Sequence, residues 1–131
     1  AASDVYKRQP FPLHECLQAG IPVALGTDSL ATIKKPAPIH PFHLFHEAKE
    51  ALKQFPTLRP STALGMITFQ AAKVLGLEKK VGSLEPGMAC DWISTHYRGN
   101  PEDAAASIIE SIPEWDHVVS AGQPFPQEAF E

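Results

Sequence analysis

The residue of this chain whose type and position best suit chemistry is Asp28, which follows an apolar run almost directly. Five of the six residues in Ile21–Gly26 are apolar or proline, and such a short run bounded by turn residues is typical of a strand buried on both faces. Where strands run parallel, chemistry concentrates at their carboxyl ends. An ionised carboxylate there is costly unless a metal ion or a proton offsets its charge. The position therefore predicts a metal ligand or proton acceptor at Asp28, with a structural Asp that caps the next turn as the alternative.

Three histidines follow this carboxylate, at His40, His43 and His46. His43 and His46 are three residues apart on a predicted helix, a spacing that zinc ligands can use. No acid or cysteine is clustered with them, however, and the apolar stripe of the helix shares their face. We therefore favour packed or exposed helix histidines over a metal site, and leave open that one of them lines a binding cleft. The other histidines are predicted as surface or isolated residues: His14, His96 and His117.

The predicted strand is preceded by a short helix over Pro12–Gly20. Leu13, Cys16 and Leu17 have the i, i+3, i+4 spacing of a buried helical stripe, and Gly20 suits the left-handed position just past a helix end. A helix that runs directly into a strand of the parallel type is half of a repeated βα unit. The sequence therefore indicates an α/β fold around Asp28.

Two further helices are predicted after a proline-rich loop over residues 30–41. The first runs from Phe42 to about Gln54, where Phe55-Pro56 stops it. The second begins near Pro60, a good first-turn residue, and ends at Gly76. The apolar face of this second helix consists of Leu64, Ile67, Ala71, Val74 and Leu75.

The pattern changes near residue 81, where turn signals replace helical spacing. We predict strands over Met88–Thr95 and Asp116–Ala121, and between them a helix from Asn100 to about Ser111, with Asn100 as its cap. Asp91 lies inside an apolar strand, and we predict a structural role for it, in which it binds backbone amides of a nearby turn. The tail from Gly122 is predicted to be loose.

Composition narrows the class of protein. The chain has 131 residues, 44% of them apolar, and a formal net charge of −4. Without a basic stripe we predict no nucleic-acid binding, and without an apolar run of about 20 residues we predict no membrane span. The two cysteines, Cys16 and Cys90, are predicted as buried free thiols, which favours a cytoplasmic setting.

Residues 1–9 differ from the rest of the chain. Asp4–Gln9 resembles the translation of a transposase sequencing adapter, since GAT GTG TAT AAG AGA CAG encodes those residues. We therefore expect residues 1–9 to be non-native and the native sequence to begin near Pro10, with a natural frayed terminus as the alternative.

Three segments together resemble the C-terminal part of an amidohydrolase-superfamily enzyme of the cytosine-deaminase and chlorohydrolase-like branch. They are Ala19–Ser29 with its LGTDS motif, Ala71–Leu77, and Val81–Ile93 with its GSLEPGMACD motif. The resemblance implies an α/β fold that combines the C-terminal portion of a (β/α)8 barrel with part of a small β-sandwich. Residues 10–80 would supply the last barrel strand and its helices, residues 81–122 the sandwich return with a helix, and residues 123–131 the loose tail.

The same resemblance implies a metal-dependent hydrolase that acts on carbon–nitrogen bonds of a small, cyclic substrate, for example a deaminase. The metal would be zinc or iron, and Asp28 would bind it and shuttle a proton. The family's His-x-His ligand pair and its later ligands would all precede Pro10, so the fragment alone is expected to be inactive. A homodimer of the full-length protein is also consistent with the family.

Two alternatives remain open at this stage. A self-contained helical and β binding module without catalysis would explain the absent histidine ligands, although the run at residues 21–26 calls for parallel neighbours. A parent protein that kept the fold and lost the metal would serve as a scaffold. The glycines of Gly82–Gly87 lack the spacing of a nucleotide-binding loop, so that segment is predicted to be a turn.

Overall fold

The computed structural model describes residues 11–27, 44–112 and 115–124 as five α-helices and a three-stranded antiparallel sheet. The α/β class predicted from the sequence is therefore confirmed for the described ranges. The helices are α1 (Leu13–Gln18), α2 (Leu44–Gln54), α3 (Pro60–Met66), α4 (Phe69–Val74) and α5 (Ala104–Ser111), and a 3₁₀ turn at Pro101–Asp103 leads into α5. The strands are β1 (Trp92–Ser94), β2 (His117–Ser120) and β3 (Gln123–Pro124).

The hydrophobic core lies among the helices. Helix α3 contacts α2, α4 and α5, and α2 also contacts α5. Leu13 of α1, Met66 of α3 and Ile109 of α5 are almost fully buried, so three separate parts of the chain meet there. The remaining buried members of the cluster are Phe45, Ala48, Ala51, Leu58 and Ala63. Small alanines on α2 and α3 let these two helices approach closely.

The sheet lies in the second half of the chain, in the order β1-β2-β3. Trp92 is paired with Val119 and Ser94 with His117, and Ser120 is paired with Gln123. Residues Gln123 and Pro124, which the sequence assigned to the loose tail, therefore belong to a short strand. The two strands predicted for this half of the chain are present, although β1 and β2 are shorter than Met88–Thr95 and Asp116–Ala121.

The prediction of a strand over Ile21–Gly26 is wrong for these residues. Residues 21–27 have no regular secondary structure, and the side chain of Ile21 is 52% exposed rather than buried. The apolar pattern suits a strand, but a strand also needs hydrogen-bonding neighbours. The described ranges contain no second strand beside residues 21–27, so the segment lies against the helices instead.

Helix α2 ends at Gln54 as predicted, and its predicted first residues, Phe42 and His43, lie outside the described residues. The prediction of a single helix from Pro60 to Gly76 is also wrong, because the structure has two helices, α3 and α4, separated at Ile67–Thr68. Val74 and Leu75, assigned to its buried face, are 48% and 70% exposed.

The helix ends follow the glycine rule, with φ of +70° at Gly20 and +68° at Gly76. At each end, the glycine N–H and the following N–H bind carbonyls of the last turn, which is the Schellman arrangement. The prediction that the Asn100 side chain caps the following helix is wrong, because that side chain makes no capping hydrogen bond. The Asn100 backbone carbonyl instead accepts hydrogen bonds from the Asp103 N–H and the Tyr97 hydroxyl, each at 3.0 Å.

The cysteine prediction is confirmed in part. Cys16 and Cys90 are both free thiols, but Cys16 is half-buried and Cys90 is exposed. Cys90 precedes β1 and therefore lies outside the helical core. None of the helices in the described ranges has the length and apolarity that a bilayer crossing requires.

Candidate functional site

The principal predicted site residue, Asp28, lies outside the described residues, as do His40 and His43. The first described range ends at Thr27, one residue before the carboxylate. What the structure does show is how the chain approaches that position. We call residues 21–27 the approach segment.

The approach segment is held at both ends of its apolar part. At its start, the Ile21 N–H donates to the Cys16 carbonyl at 2.9 Å, as part of the Schellman end of α1. Further along, the Leu25 N–H donates to the Met66 carbonyl at 3.0 Å. The side chains of Val23 and Leu25 pack against the helical core. The chain therefore reaches Thr27 from a position fixed by α1 and α3.

A cavity of about 310 Å³ lies beside the approach segment. Residues Val23–Gly26 line one side of it, and polar side chains of α2 line another. Those α2 side chains, Glu47, Glu50 and Gln54, are spaced at i, i+3 and i+7 and so share a face. The apolar lining is Phe11, Leu13, Phe55 and Met66, together with Ala51.

The charge at the rim of this cavity is partly paired. Lys53 donates a hydrogen bond to Glu50 at 2.6 Å, and this bond, together with the Glu50 charge, raises the pKa of Lys53. The Lys49 ammonium instead reaches α5, where it lies 3.0 Å from the Glu110 carboxylate and 2.8 Å from the Glu110 carbonyl. Helical spacing alone does not identify this acidic rim, because the rim exists only where the approach segment lies beside Glu47 and Glu50 of α2.

The described histidines do not form a cluster. His46 is half-buried on α2, and exposed His14 of α1 shares a 2.6 Å hydrogen bond with the Thr57 hydroxyl. His96 accepts a 2.9 Å hydrogen bond from Arg98, and His117 packs edge-on against Trp92. Within the described ranges, no three His, Cys, Asp or Glu side chains are placed to hold a metal ion.

Asp91 has the structural role predicted for it. Its Oδ1 accepts a hydrogen bond from the Ala121 N–H at 2.6 Å. The turn that it binds is the one between β2 and β3, far along the chain from the neighbouring Gly82–Gly87 turn. Asp91 is therefore part of the sheet and not of the candidate site.

The break at Ile67–Thr68 is a feature that helical periodicity did not reveal. The Thr68 hydroxyl donates to the Leu64 carbonyl at 2.9 Å, and the Thr68 N–H donates to Gly65 at 3.1 Å. A threonine whose hydroxyl competes for backbone carbonyls was the available sequence signal.

Comparison with known proteins defines the class. The sequence model of the Amidohydrolase family matches residues 1–124. The chain therefore belongs to the amidohydrolase family.

Curated relatives are similar over most of the chain. The chain is 32% identical to the 5-methylthioadenosine/S-adenosylhomocysteine deaminase of Moorella thermoacetica over 103 residues. That alignment covers 75% of the chain and 24% of the relative. The chain is 37% identical over 89 residues to 5-methylthioadenosine/S-adenosylhomocysteine deaminase 1 of Syntrophus aciditrophicus, which covers 63% of the chain and 19% of that relative. The matched part thus spans 24% and 19% of the lengths of these two relatives.

Proposed function

We propose that the full-length protein containing this chain is a metal-dependent hydrolase that acts on carbon–nitrogen bonds of a small cyclic substrate, as a deaminase. The observation that carries the proposal is the family match, which runs across the segment leading into Asp28. The deaminase names of the relatives support the same class of reaction.

The proposed architecture is the one that the sequence resemblance implies. Residues 10–80 would supply the last strand and helices of a (β/α)8 barrel, and residues 81–122 would return to a small β-sandwich. The exposure of the apolar Ile21 is consistent with a segment that other parts of the barrel would cover. A cytoplasmic setting and a homodimer of the full-length protein stay predictions.

The proposed metal is zinc or iron, and Asp28 is the ligand that this chain would contribute. A carboxylate oxygen is a suitable donor for either ion. The described residues offer no complete donor set, so further ligands would come from elsewhere in the full-length protein. When bound, such a cation supplies a hydrolytic nucleophile by lowering the pKa of water towards neutrality.

Asp28 would also move the proton. Its carboxylate would accept a proton from the attacking water as the new carbon–oxygen bond forms. It would return that proton to the amino group as the carbon–nitrogen bond breaks, so that ammonia leaves, and the proton left on the new hydroxyl would pass to the ring nitrogen to give the carbonyl. One carboxylate can serve both steps because it is regenerated in its ionised form at the end.

The first substrates to test are 5-methylthioadenosine and S-adenosylhomocysteine, the compounds in the names of the relatives. The full-length protein would be loaded with zinc or iron, and ammonia release would be measured for wild type, Asp28→Asn and Asp91→Asn. We expect Asp28→Asn to lower kcat about 10³-fold, the scale of a lost general acid–base group. Asp91→Asn should retain the wild-type rate, because Asp91 binds the turn of the sheet.

Metal content separates the remaining outcomes. A full-length protein that binds no zinc or iron and releases no ammonia would support the scaffold alternative and contradict the proposal. Full activity in Asp28→Asn would contradict the role of Asp28 even if the protein is a deaminase.

A further inference from the structure

Helix α4 carries an apolar face that no helix or strand of the described ranges covers. Ala71, Val74 and Leu75 have the i, i+3, i+4 spacing that places side chains on one side of a helix. Such a face normally lies against a core, yet Val74 and Leu75 are 48% and 70% exposed. We call these three residues the α4 face.

The opposite side of α4 is the one that packs within the chain. Ala72 is only 4% exposed, and a Cβ added at Gly82 would lie 2.8 Å from the Ala72 Cβ. Thr68 has φ −128° and ψ −108°, which is not helical, so α4 does not continue the axis of α3. The chain therefore bends at Thr68, and the α4 face stays outside the helical core.

The end of α4 that carries this face is well defined. The Gly76 N–H donates to the Lys73 carbonyl at 3.1 Å, and the Leu77 N–H donates to the Ala72 carbonyl at 2.8 Å. The Val81 N–H donates in turn to the Leu77 carbonyl at 3.0 Å. The exposure of the α4 face is therefore that of a hydrogen-bonded helix end and not of a frayed one. None of these contacts involves residues 21–27.

Charge is kept away from the α4 face. Lys73 is the one charged residue of α4, and its Nζ lies 5.7 Å from the centroid of the Phe69 ring. Phe69 and Lys73 form an i, i+4 pair on the side of the helix away from Val74 and Leu75. The helix is thus amphipathic, and its uncovered side suits an apolar neighbour.

The size of this apolar surface favours cover by the same polypeptide over cover by a second copy. Leu77 and Leu84, 39% and 75% exposed, are the apolar residues that follow the α4 face along the chain. A stable dimer uses about 20–30 residues on each side, far more than these few. Docking within one polypeptide needs less area, because it costs no translational freedom.

We propose that the α4 face is the docking surface for an apolar segment of the full-length protein that lies outside this chain. The matched part spans only 24% and 19% of two relatives, so a protein of their length has ample polypeptide to supply that segment. This inference rests on the proposed function, which assigns the rest of the barrel and the further metal ligands to the same outside part.

The first test is photo-cross-linking of the full-length protein with photo-leucine, a diazirine analogue close to leucine in size, at position 75. Photo-leucine at position 73 is the matched control, because Lys73 lies on the other side of the same helix. We expect a product with the mass of one polypeptide, in which the Leu75 peptide is joined to a peptide outside residues 10–131. Position 73 should give none of this product, because water consumes an exposed carbene.

The second test is urea unfolding of the full-length protein. We expect Leu75→Ala to shift the unfolding equilibrium about 30-fold or more towards the unfolded state, as for a buried leucine. Leu75→Met should be close to wild type, because it keeps the apolar volume. Lys73→Ala should shift the equilibrium less than about fivefold, the scale of one exposed cation–π contact.

Three cross-linking results would overturn the proposal. They are a product of doubled mass, which would indicate a second copy, a Leu75 peptide joined only to residues 28–43 or 125–131, and equal yields at positions 75 and 73. Cross-linking requires neither metal nor substrate. A protein that cross-links as expected and releases no ammonia would therefore contradict the proposed function alone, and an active deaminase without the cross-link would contradict the docking surface alone.

Discussion

Asp91 and Ala121 are joined across the sheet, because the Asp91 Oδ1 accepts the Ala121 N–H at 2.6 Å. Ala121 has φ +50° and Gly122 has φ +74°, the left-handed pair that a two-residue hairpin turn requires. The Gly122 N–H donates in turn to the Cys90 carbonyl at 3.0 Å. The residues before β1 therefore hold the turn between β2 and β3 at two adjacent amides.

Removing the Asp91 carboxylate should loosen this turn. We expect Asp91→Ala to lower the free energy of unfolding by about 1 kcal/mol, the typical net contribution of one intramolecular hydrogen bond. Hydrogen exchange at the Ala121 amide and thermal unfolding would measure it. Asp103→Ala is the matched control, because the Asp103 side chain makes no capping hydrogen bond. An equal loss in both variants would contradict the role of the Asp91 bond.

Ala121 carries the backbone strain of the turn. We expect Ala121→Gly to raise the free energy of unfolding by about 0.5 kcal/mol, since relief of the left-handed strain exceeds the entropy cost of glycine. The same substitution at exposed Ala106 of helix α5 should lower stability by up to about 1 kcal/mol. Opposite signs in the two urea-unfolding midpoints would confirm the strain, and the same sign would contradict it.

Alanine substitutions at Gly82 and Gly87 would distinguish the cost of backbone strain from the cost of a steric clash. Both have positive φ, +96° and +89°, so alanine is strained at each. An added Cβ at Gly82 would also approach the Ala72 Cβ at 2.8 Å and the Phe69 backbone, whereas nothing lies within 4 Å at Gly87. We therefore expect Gly82→Ala to be more destabilising than Gly87→Ala by about 1–3 kcal/mol, the cost of overpacking. Equal unfolding midpoints for the two variants would be inconsistent with contact between the 82 turn and α4.

Lys49 and Lys53 form ion pairs that are expected to contribute differently to stability. Lys49 joins α2 to the last turn of α5, while Lys53 pairs with Glu50 within its own helix. We expect Lys49→Ala to cost about 1 kcal/mol, because it also removes a hydrogen bond to a helix-end carbonyl. Lys53→Ala should change the melting temperature less, since an exposed pair contributes little. A larger effect at Lys53 would contradict this ranking.

The Lys53 pair also predicts a pH dependence. The hydrogen bond to Glu50 raises the pKa of Lys53 above its ordinary value of 10.5. Any stability that the pair contributes is therefore complete below pH 10.5 and is lost as the pH rises through the raised value. The melting temperatures of wild type and Lys53→Gln should converge as the pH rises above the raised pKa of Lys53. A difference that grows in that range would contradict a stabilising Lys53–Glu50 pair.

Local rules predicted much of the fold. The left-handed glycines after α1 and α4, the end of α2 at Gln54 and the order of β1, α5 and β2 all follow from spacing and turn chemistry. The strand over Ile21–Gly26 was wrong for these residues because a strand depends on partners that local sequence does not contain. The break at Thr68 was missed because helical spacing continues through it, while hydroxyl competition and the Phe69 packing decide the backbone.

The candidate site could be predicted only in part. The motif around Asp28 indicated the family, which the comparisons then confirmed. The role of Asp28 itself stays a prediction, since it lies outside the described residues. The hydrogen bond from the Leu25 N–H to the Met66 carbonyl could not be predicted from the sequence. It depends on where α3 ends and on how residues 21–27 lie against that end.

Helix α5 connects β1 to β2, yet its residue Ile109 is fully buried among α1, α2 and α3. The sheet therefore cannot be excised as an independent module: a chain cut at residue 95 would lose a strand partner and leave a hole in the helical layer at once.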